Sequence, residues 1–157
     1  MIQLQANDKA PAFSAPDQNG CKVSLSDFRG RALVLYFYPE DDTPTCTIQA
    51  CNLRDNYGSL RQAGIEVVGV SPDDSRSHKK FETKFGLPYS LLSDPAHKII
   101  DKYGVWGEKL LYGRHYMGLH RTSFLIDERG RIVRIFLRPK NKDHAAEILK
   151  AWKEAGH

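Results

Sequence analysis

The run "ALVLYFY" (residues 32–38) places seven apolar residues in succession, and Pro39 follows it directly. A strand with one buried face alternates apolar and polar side chains, whereas a strand covered on both faces is apolar throughout. The run therefore predicts a central strand with structure packed on both of its faces. Because proline lacks the amide donor that a sheet requires, we expect the strand to end at Pro39.

The rest of the chain alternates between strand and helix patterns. Besides the central strand, we predict a hairpin that turns at Asn19-Gly20, strands in 64–72 and 87–94, and a second hairpin, "RTSFLID" and "RIVRIFL", around the turn "ERG". Helices are predicted over 43–62, over 73–86 with Gly86 at its stop, over 95–104 with Pro95 in its first turn and Gly104 at its stop, and over 142–156. Residues 105–120 are predicted as a loop.

This order of elements predicts the fold class. Strands separated by helices need crossover connections and a partly parallel sheet, whereas a late hairpin pairs antiparallel strands. We therefore predict an α/β protein with a mixed central sheet flanked by helices and with an N-terminal β-hairpin. The length of 157 residues suits one domain spanning 1–157.

Composition and charge narrow the function classes. The first residues lack the pattern of a signal peptide, and no run of about 18 apolar residues occurs. We therefore predict a cytoplasmic protein with no membrane association. The net charge of +4 includes a basic cluster at 129–142. Lysine and arginine commonly protect strand edges, and no nucleic-acid-binding motif accompanies the charge, so we expect no nucleic-acid partner.

The chain has three cysteines, Cys21, Cys46 and Cys51. An odd and small number does not suit a disulfide-stapled scaffold, and disulfides in a reducing compartment are usually transient and catalytic. The pair Cys46 and Cys51 therefore indicates redox chemistry. We interpret Cys21, in the predicted hairpin, as a small buried hydrophobic residue.

Cys46 is predicted to lie in the first turn of a helix. Thr43 suits the N-cap, where its hydroxyl would accept from a following amide, and Pro44 suits the first helical position. Free backbone N–H groups and the positive end of the helix dipole favour a thiolate over a thiol there. A thiolate serves in disulfide exchange, in metal binding and in attack on a peroxide, so position alone leaves these alternatives open.

The spacing of Cys46 and Cys51 limits the alternatives. In an intact helix, residues five apart have Cα atoms about 8–9 Å apart, whereas a disulfide needs about 4.4–6.8 Å. A bond between them therefore requires the helix start to unwind, which suits a cysteine that first reacts alone and is then captured. A metal site would need two further ligands, which Cys21 and six scattered histidines do not indicate. The Cys-x-x-Cys motif of thiol–disulfide exchange enzymes is missing from the sequence.

The segment "FYPEDDTPTCTIQACNLRDNY" resembles the peroxidatic loop of the peroxiredoxins. Their signature Pro-x-x-x-Thr-x-x-Cys falls on Pro39, Thr43 and Cys46. The segments "DKAPAFSAPDQNG", "VVGVSPDD", "LPYSLLSD", "KYGVWGEK" and "HRTSFLID" extend the resemblance over nearly the whole chain. They are similar to the peroxiredoxin Q, or bacterioferritin comigratory protein, subfamily.

The resemblance implies a thioredoxin-like fold and a thiol peroxidase that needs no metal, haem or flavin. It implies that Cys46 reduces hydrogen peroxide or an organic hydroperoxide and becomes a sulfenic acid. Cys51 matches the resolving cysteine that then forms an intramolecular disulfide. Thioredoxin or a similar dithiol would reduce this disulfide, and a monomer is expected.

Three further residues take their roles from the same resemblance. Thr43 and Arg121 match the threonine and arginine that orient the peroxide and stabilise the thiolate, and Pro39 matches the proline that shields the pocket. The chain departs from the subfamily at two positions, because Thr45 replaces a glycine and the uncharged Gln49 replaces a glutamate. A different class of function stays open, namely a redox sensor whose disulfide remodels a surface for a protein partner.

Overall fold

The computed structural model describes residues 2–157. Its strands are β1 (Ser14–Pro16), β2 (Lys22–Ser24), β3 (Ala32–Phe37), β4 (Ile65–Ser71), β5 (Ser90–Ser93), β6 (Trp106–Leu111), β7 (Arg114–Leu119), β8 (Thr122–Ile126) and β9 (Ile132–Phe136). Its helices are α1 (Pro44–Asp55), α2 (Tyr57–Gln62), α3 (Ser75–Phe85), α4 (Lys98–Tyr103) and α5 (His144–Glu154). Within the described part of the chain, no helix is long and apolar enough to cross a membrane.

The centre of the molecule is a five-stranded mixed sheet in the order β5-β4-β3-β8-β9. Strands β3, β4 and β5 are parallel, and β8 is antiparallel to both β3 and β9. Every residue of β3 is buried. Its side chains contribute alternately to two apolar clusters, one shared with α1, α3 and α5 and the other shared with α4 and the N-terminal segment. The predicted central strand and the predicted α/β class are confirmed.

Three strand termini that matter for the site meet at one end of the sheet. Phe37, the last residue of β3, pairs with Thr122, the first residue of β8, and Ser123 pairs with Phe136, the last residue of β9. The chain leaves β3 there and reaches α1 through the loop 38–43. We call this the Cys46 end of the sheet. The two predicted hairpins are also confirmed as β1–β2 and β8–β9.

The predicted loop over 105–120 is wrong, because β6 and β7 form an antiparallel ribbon there. The ribbon turns at Tyr112 and Gly113, which both have positive φ, at 51° and 77°. Two successive residues with positive φ form the tight turn that suits a hairpin, and glycine adopts this conformation readily. Most side chains of the ribbon are exposed, so its sequence lacks the apolar alternation by which a half-buried strand is identified.

Two predicted helix boundaries also need correction. The helix predicted over 43–62 is divided at Asn56, whose side-chain amide donates to the Asn52 carbonyl at 2.8 Å. Such a bond competes with helical pairing of the same carbonyl. The helix predicted from Pro95 begins instead at Lys98, because His97 has a left-handed φ of 58°. Its predicted stop at Gly104 is confirmed.

The Asp94 carboxylate explains where α4 begins. Its oxygens accept hydrogen bonds from the amides of Lys98, Ile99 and Ile100 at 2.8–3.0 Å. These amides belong to the first turn of the helix, where no carbonyl within the helix can reach them. Asp94 therefore caps α4 from four residues before its start, with Pro95 in the turn between.

We expect Asp94→Ala to lower the free energy of unfolding by about 2–3 kcal/mol, because it leaves buried amides without a partner. Urea denaturation of the reduced protein measures this change. Asp101→Ala removes an exposed acid from the same helix and is the control, expected to stay within about 0.5 kcal/mol of the parent. Equal stability of the two variants would contradict the capping role.

Candidate active site

The start of α1 positions Cys46 as predicted. Thr43 occupies the N-cap position with extended backbone, and Pro44 is the first helical residue. The first helical hydrogen bond runs from Thr47 N to Thr43 O, so the Cys46 amide has no partner within the helix. Cys46 is 1% exposed and packs in the cluster between the sheet and α1. A free thiol therefore lies at the positive end of a helix dipole, shielded from bulk water.

Arg121, next to the start of β8, contacts this thiol. Its Nη2 atom donates to Cys46 Sγ at 2.9 Å, although the two residues are 75 positions apart. Arg121 lies immediately before β8 and thus at the Cys46 end of the sheet. A guanidinium is always charged and carries several donors in fixed directions. It can therefore stabilise a thiolate and also bind an oxygen atom that approaches the sulfur.

Thr43 lies beside the thiol in sequence, but its side chain does not make the predicted cap bond. The hydroxyl instead donates to the carbonyl of Glu40 at 3.2 Å. That carbonyl lies three residues back in the same loop and competes with the helix amides for the hydroxyl. Because its proton is directed to Glu40, the Thr43 oxygen keeps its lone pairs for an incoming O–H donor. Pro39 lies half-buried at the start of this loop.

Asp41 anchors the loop and was not identified from the sequence. Its buried carboxylate accepts from Tyr38 Oη at 2.6 Å and from Ser77 Oγ at 2.7 Å, and it pairs with His78 Nδ1 at 2.7 Å. Its backbone amide donates to Asp73 at 2.8 Å. The loop is therefore tied to α3. The segment "PEDDT" contains three acids, and the buried one can be identified only when the position of α3 is known.

The same cluster has the composition of a cation site. Ligand atoms of Asp41, Asp73 and His78 lie within 4.8 Å of one another. Hydrogen bonds already occupy the carboxylate oxygens that would bind an ion. We therefore interpret the cluster as a structural anchor of the loop.

Gln49, one of the two departures from the subfamily, has an unusual environment in the structure. Its side chain is fully buried, and neither its Oε1 nor its Nε2 atom has a hydrogen-bond partner. Arg121 Nη1 is likewise buried without a partner. Cys46 and Gln49 are three residues apart on α1 and thus share a helix face. Two unpaired polar groups therefore accompany the thiol site.

We expect Gln49→Met to raise the free energy of unfolding of the reduced protein by about 1–2 kcal/mol, because an apolar side chain of similar length removes the cost of the unpaired amide. Urea denaturation measures the change, and Gln62→Met at an exposed position is the control. A less stable Gln49→Met protein would mean that the amide has a partner, such as an internal water.

Cys51 lies on the same uninterrupted helix as Cys46, and both thiols are free. Partial burial raises the pKa of the Cys51 thiol, while Arg54 lowers it and Asp55 raises it. Cys51 is therefore held as a protonated thiol in this conformation. Cys21 is free and exposed at the N-terminal hairpin, so the prediction that it is buried is wrong.

The two halves of α1 are anchored differently. Side-chain hydrogen bonds between α1 and other elements hold its second half. Tyr89 Oη donates to Ala50 O (2.9 Å), and Arg54 donates to Phe85 O (2.6 Å). The Asn52 side chain donates to Lys142 O (2.7 Å) and accepts from Ala145 N (2.9 Å). The described contacts of residues 44–47 include one such bond, from Arg121 to Cys46. The turn that carries Cys46 is therefore held less firmly than the turn that carries Cys51.

Comparison with protein families gives a match over most of the chain. Residues 6–135 match the AhpC/TSA family. Peroxiredoxin Bcp of Escherichia coli K12 is 46% identical over 154 residues, which cover 98% of this chain and 99% of that protein. Peroxiredoxin Bcp of Bacillus subtilis is 42% identical over 153 residues, which cover 98% of each chain.

Solved structures agree in fold along the whole length. The PrxQ of Xylella fastidiosa, solved as a mutant, superposes with a TM-score of 0.92 at 28% identity and full coverage of both chains. The bacterioferritin comigratory protein of Xanthomonas campestris, described in a study of alkyl peroxide reduction, gives a TM-score of 0.85 at 29% identity with 98% coverage of each chain. These similarities confirm the predicted thioredoxin-like fold.

Proposed function

Because this chain belongs to the AhpC/TSA family and is a peroxiredoxin, a thiol peroxidase, we propose that Cys46 attacks the peroxide and that Cys51 resolves the product. One observation carries the assignment of Cys46. Its sulfur lies at the N-terminus of α1 and accepts from the Arg121 guanidinium at 2.9 Å. Cys21 is exposed at the N-terminal hairpin, outside this arrangement.

In the first step, the Cys46 thiolate attacks one peroxide oxygen and the O–O bond breaks. Cys46 becomes a sulfenic acid, and the second oxygen leaves as water or an alcohol after taking up a proton. Arg121 stabilises the negative charge that develops on the departing oxygen. The Cys46 amide donates to the peroxide, while the Thr43 oxygen accepts from its O–H group. Pro39 shields the pocket from water.

In the second step, the Cys51 thiol condenses with the sulfenic acid, which gives the Cys46–Cys51 disulfide and releases water. Cα atoms five residues apart on a helix are about 8–9 Å apart, so the helix must open first. The anchoring of residues 50–54 supports a step in which Cys51 stays in place and the turn 44–47 unwinds.

Substrates and partners follow from this cycle. Alkyl peroxide reduction by the Xanthomonas protein supports organic hydroperoxides as substrates beside hydrogen peroxide. A two-electron dithiol, thioredoxin or a similar protein, returns the disulfide to two thiols. Both cysteines are in one chain, so resolution needs no second subunit and we propose a monomer that acts in the cytoplasm.

Tryptic mass mapping after one equivalent of hydrogen peroxide, without reductant, tests the cysteine assignment. Cys46 and Cys51 share the peptide 32–54, whereas Cys21 lies on the peptide 10–22. We expect the first peptide to lose two hydrogens and the second to be unchanged. A stable Cys46 sulfenic acid, or a bond to Cys21 or to another chain, would exclude Cys51 as the resolving cysteine.

A further inference from the structure

Most of the large exposed apolar side chains lie on one element, the β6–β7 ribbon. In the described residues they are Ile48, Leu137 and five residues of the β6–β7 ribbon: Leu110, Leu111, Tyr112, Tyr116 and Met117. Tyr112 at the tip is 97% exposed and Leu110 is 63% exposed. The strand register places Leu110 and Met117 on one face of the ribbon and Leu111 and Tyr116 on the other, so both faces expose apolar side chains. Exposed apolar side chains that are grouped on one element usually mark an interaction surface.

Ile48, Leu137 and the base of the ribbon lie at the Cys46 end of the sheet. Ile48 is two residues after Cys46, and Leu137 directly follows the last residue of β9 at that end. The ribbon joins the sheet there, because β7 ends two residues before Arg121. Its base is fixed by bonds from His120 N to Val105 O and from Lys109 Nζ to Leu119 O. Apolar surface therefore lies near the thiol site, and the opposite end of the sheet carries none of these residues.

The charge at this end is mainly positive. Arg114 on the ribbon and Arg138, Lys140 and Lys142 after Leu137 are exposed. Of the exposed acids at this end, Asp42 pairs with Lys84 at 2.7 Å and Glu108 contacts His115 at 2.6 Å, while Glu40 and Asp143 are exposed as well. The surface therefore complements a partner that is both apolar and acidic.

We propose that the ribbon, Ile48 and Leu137 form the docking surface for the protein that reduces the Cys46–Cys51 disulfide. The partner is a dithiol protein with apolar and acidic surface around its thiols. The inference rests on the proposed function, since that cycle requires a dithiol to reach this end of the sheet in every turnover. In the exchange, a partner thiolate attacks one sulfur and forms a mixed disulfide. Its second thiol then displaces that bond, which oxidises the partner and leaves two thiols on this chain.

The location favours a protein over the other occupants of an apolar surface. An isolated two-stranded ribbon gains little stability of its own, yet this one extends from the residues that position Arg121. A dithiol protein must contact the region of Cys46 to react with the disulfide. Peroxide itself is too small to require such a surface.

The test compares reduction by bacterial thioredoxin, kept reduced with thioredoxin reductase and NADPH, with reduction by dithiothreitol. The ribbon variant combines Leu110→Ser, Tyr112→Asn and Met117→Ser, since asparagine tolerates the left-handed backbone at position 112. We expect its kcat/KM for thioredoxin to fall about tenfold. Reduction by dithiothreitol and the rate of a single oxidation by peroxide should stay unchanged, which also shows that the variant is folded.

A pair of charge variants tests the surface without altering the ribbon's apolar residues. Arg114→Glu should lower the kcat/KM for thioredoxin and weaken its dependence on salt. Arg29→Glu, an exposed arginine at the opposite end of the sheet, should leave both unchanged. Unchanged thioredoxin kinetics in the ribbon variant and in Arg114→Glu would overturn the proposal, and so would an equal loss with dithiothreitol.

The same variants distinguish the other occupants. If the ribbon variant loses binding to phosphatidylglycerol vesicles, or loses self-association in sedimentation, while its thioredoxin kinetics are unchanged, the surface serves a membrane or a second copy and the proposal is wrong. Failure of the proposed function would appear elsewhere, as undiminished single-turnover oxidation in Cys46→Ser. Failure of the docking proposal leaves that oxidation dependent on Cys46 and concerns only the recycling step.

Discussion

Replacing Cys46 by serine should reduce peroxide turnover by at least about a thousandfold. A serine hydroxyl is not ionised near neutral pH, and it is a far weaker nucleophile than a thiolate at a helix start beside a guanidinium. The substitution replaces one sulfur atom by oxygen at a buried position and leaves the packing nearly unchanged. Consumption of hydrogen peroxide with thioredoxin, thioredoxin reductase and NADPH measures the loss.

Two matched variants separate the roles of the three cysteines. Cys51→Ser should keep one rapid oxidation of Cys46 and lose efficient recycling by thioredoxin, because the sulfenic acid has no partner in the chain. Cys21→Ser, at an exposed site in the hairpin, should behave as the parent protein. Turnover of Cys46→Ser at the rate of the parent would exclude Cys46 as the peroxidatic thiol.

Arg121→Gln should slow the oxidation of Cys46 by about a hundredfold to a thousandfold, the range found when one preorganised donor is removed from a reaction centre. The variant keeps hydrogen-bonding capacity but loses the fixed positive charge that lies 2.9 Å from the sulfur. Stopped-flow measurement of a single turnover isolates this step, because recycling does not contribute. Arg121→Lys should recover part of the rate, since it restores the charge without the planar fork.

Arg129→Gln is the control for this series, because Arg129 is an exposed arginine in the turn after β8. It should react as the parent protein does. Urea denaturation of Arg121→Gln should show a folded protein, so that slow oxidation can be assigned to the reaction centre. A rate within about threefold of the parent would show that the guanidinium does not act on the transition state.

The sequence predicts the central layers of this fold well for a physical reason. Buried elements such as β3 and β4 must be apolar along their length, and helix stops such as Gly86 and Gly104 need a left-handed backbone. The β6–β7 ribbon was missed because its two strands pair only with each other and most of their side chains are exposed to solvent. The start of α4 was placed too early because the cap comes from Asp94, in a sequence position where a cap is not usually sought.

The predictions for the site divide in the same way, into local features that the sequence indicates and contacts with distant residues that it does not. The helix start at Thr43 and Pro44, and with it the position of Cys46, could be derived from neighbouring residues. The direction of the Thr43 hydroxyl and the buried contacts of Asp41 depend on groups far away in the chain. Arg121 was found through a family resemblance alone, since nothing local distinguishes it from another surface arginine. The structure brings it to the sulfur because β8 lies beside β3.

The uneven anchoring of α1 affects how long the Cys46 sulfenic acid persists before Cys51 reacts with it. If Cys46 and Cys51 react as proposed, the sulfenic acid persists until one terminal turn frays, and helix–coil relaxation takes about 0.1–1 μs in peptides of about 20 residues. A second peroxide that arrives within this wait converts the sulfenic acid to a sulfinic acid, a product that thioredoxin does not restore. Holding Cys51 in place while one turn opens shortens the wait. In the proposed cycle, the side chains of Tyr89, Asn52 and Arg54 thereby limit irreversible inactivation of the enzyme by its own substrate.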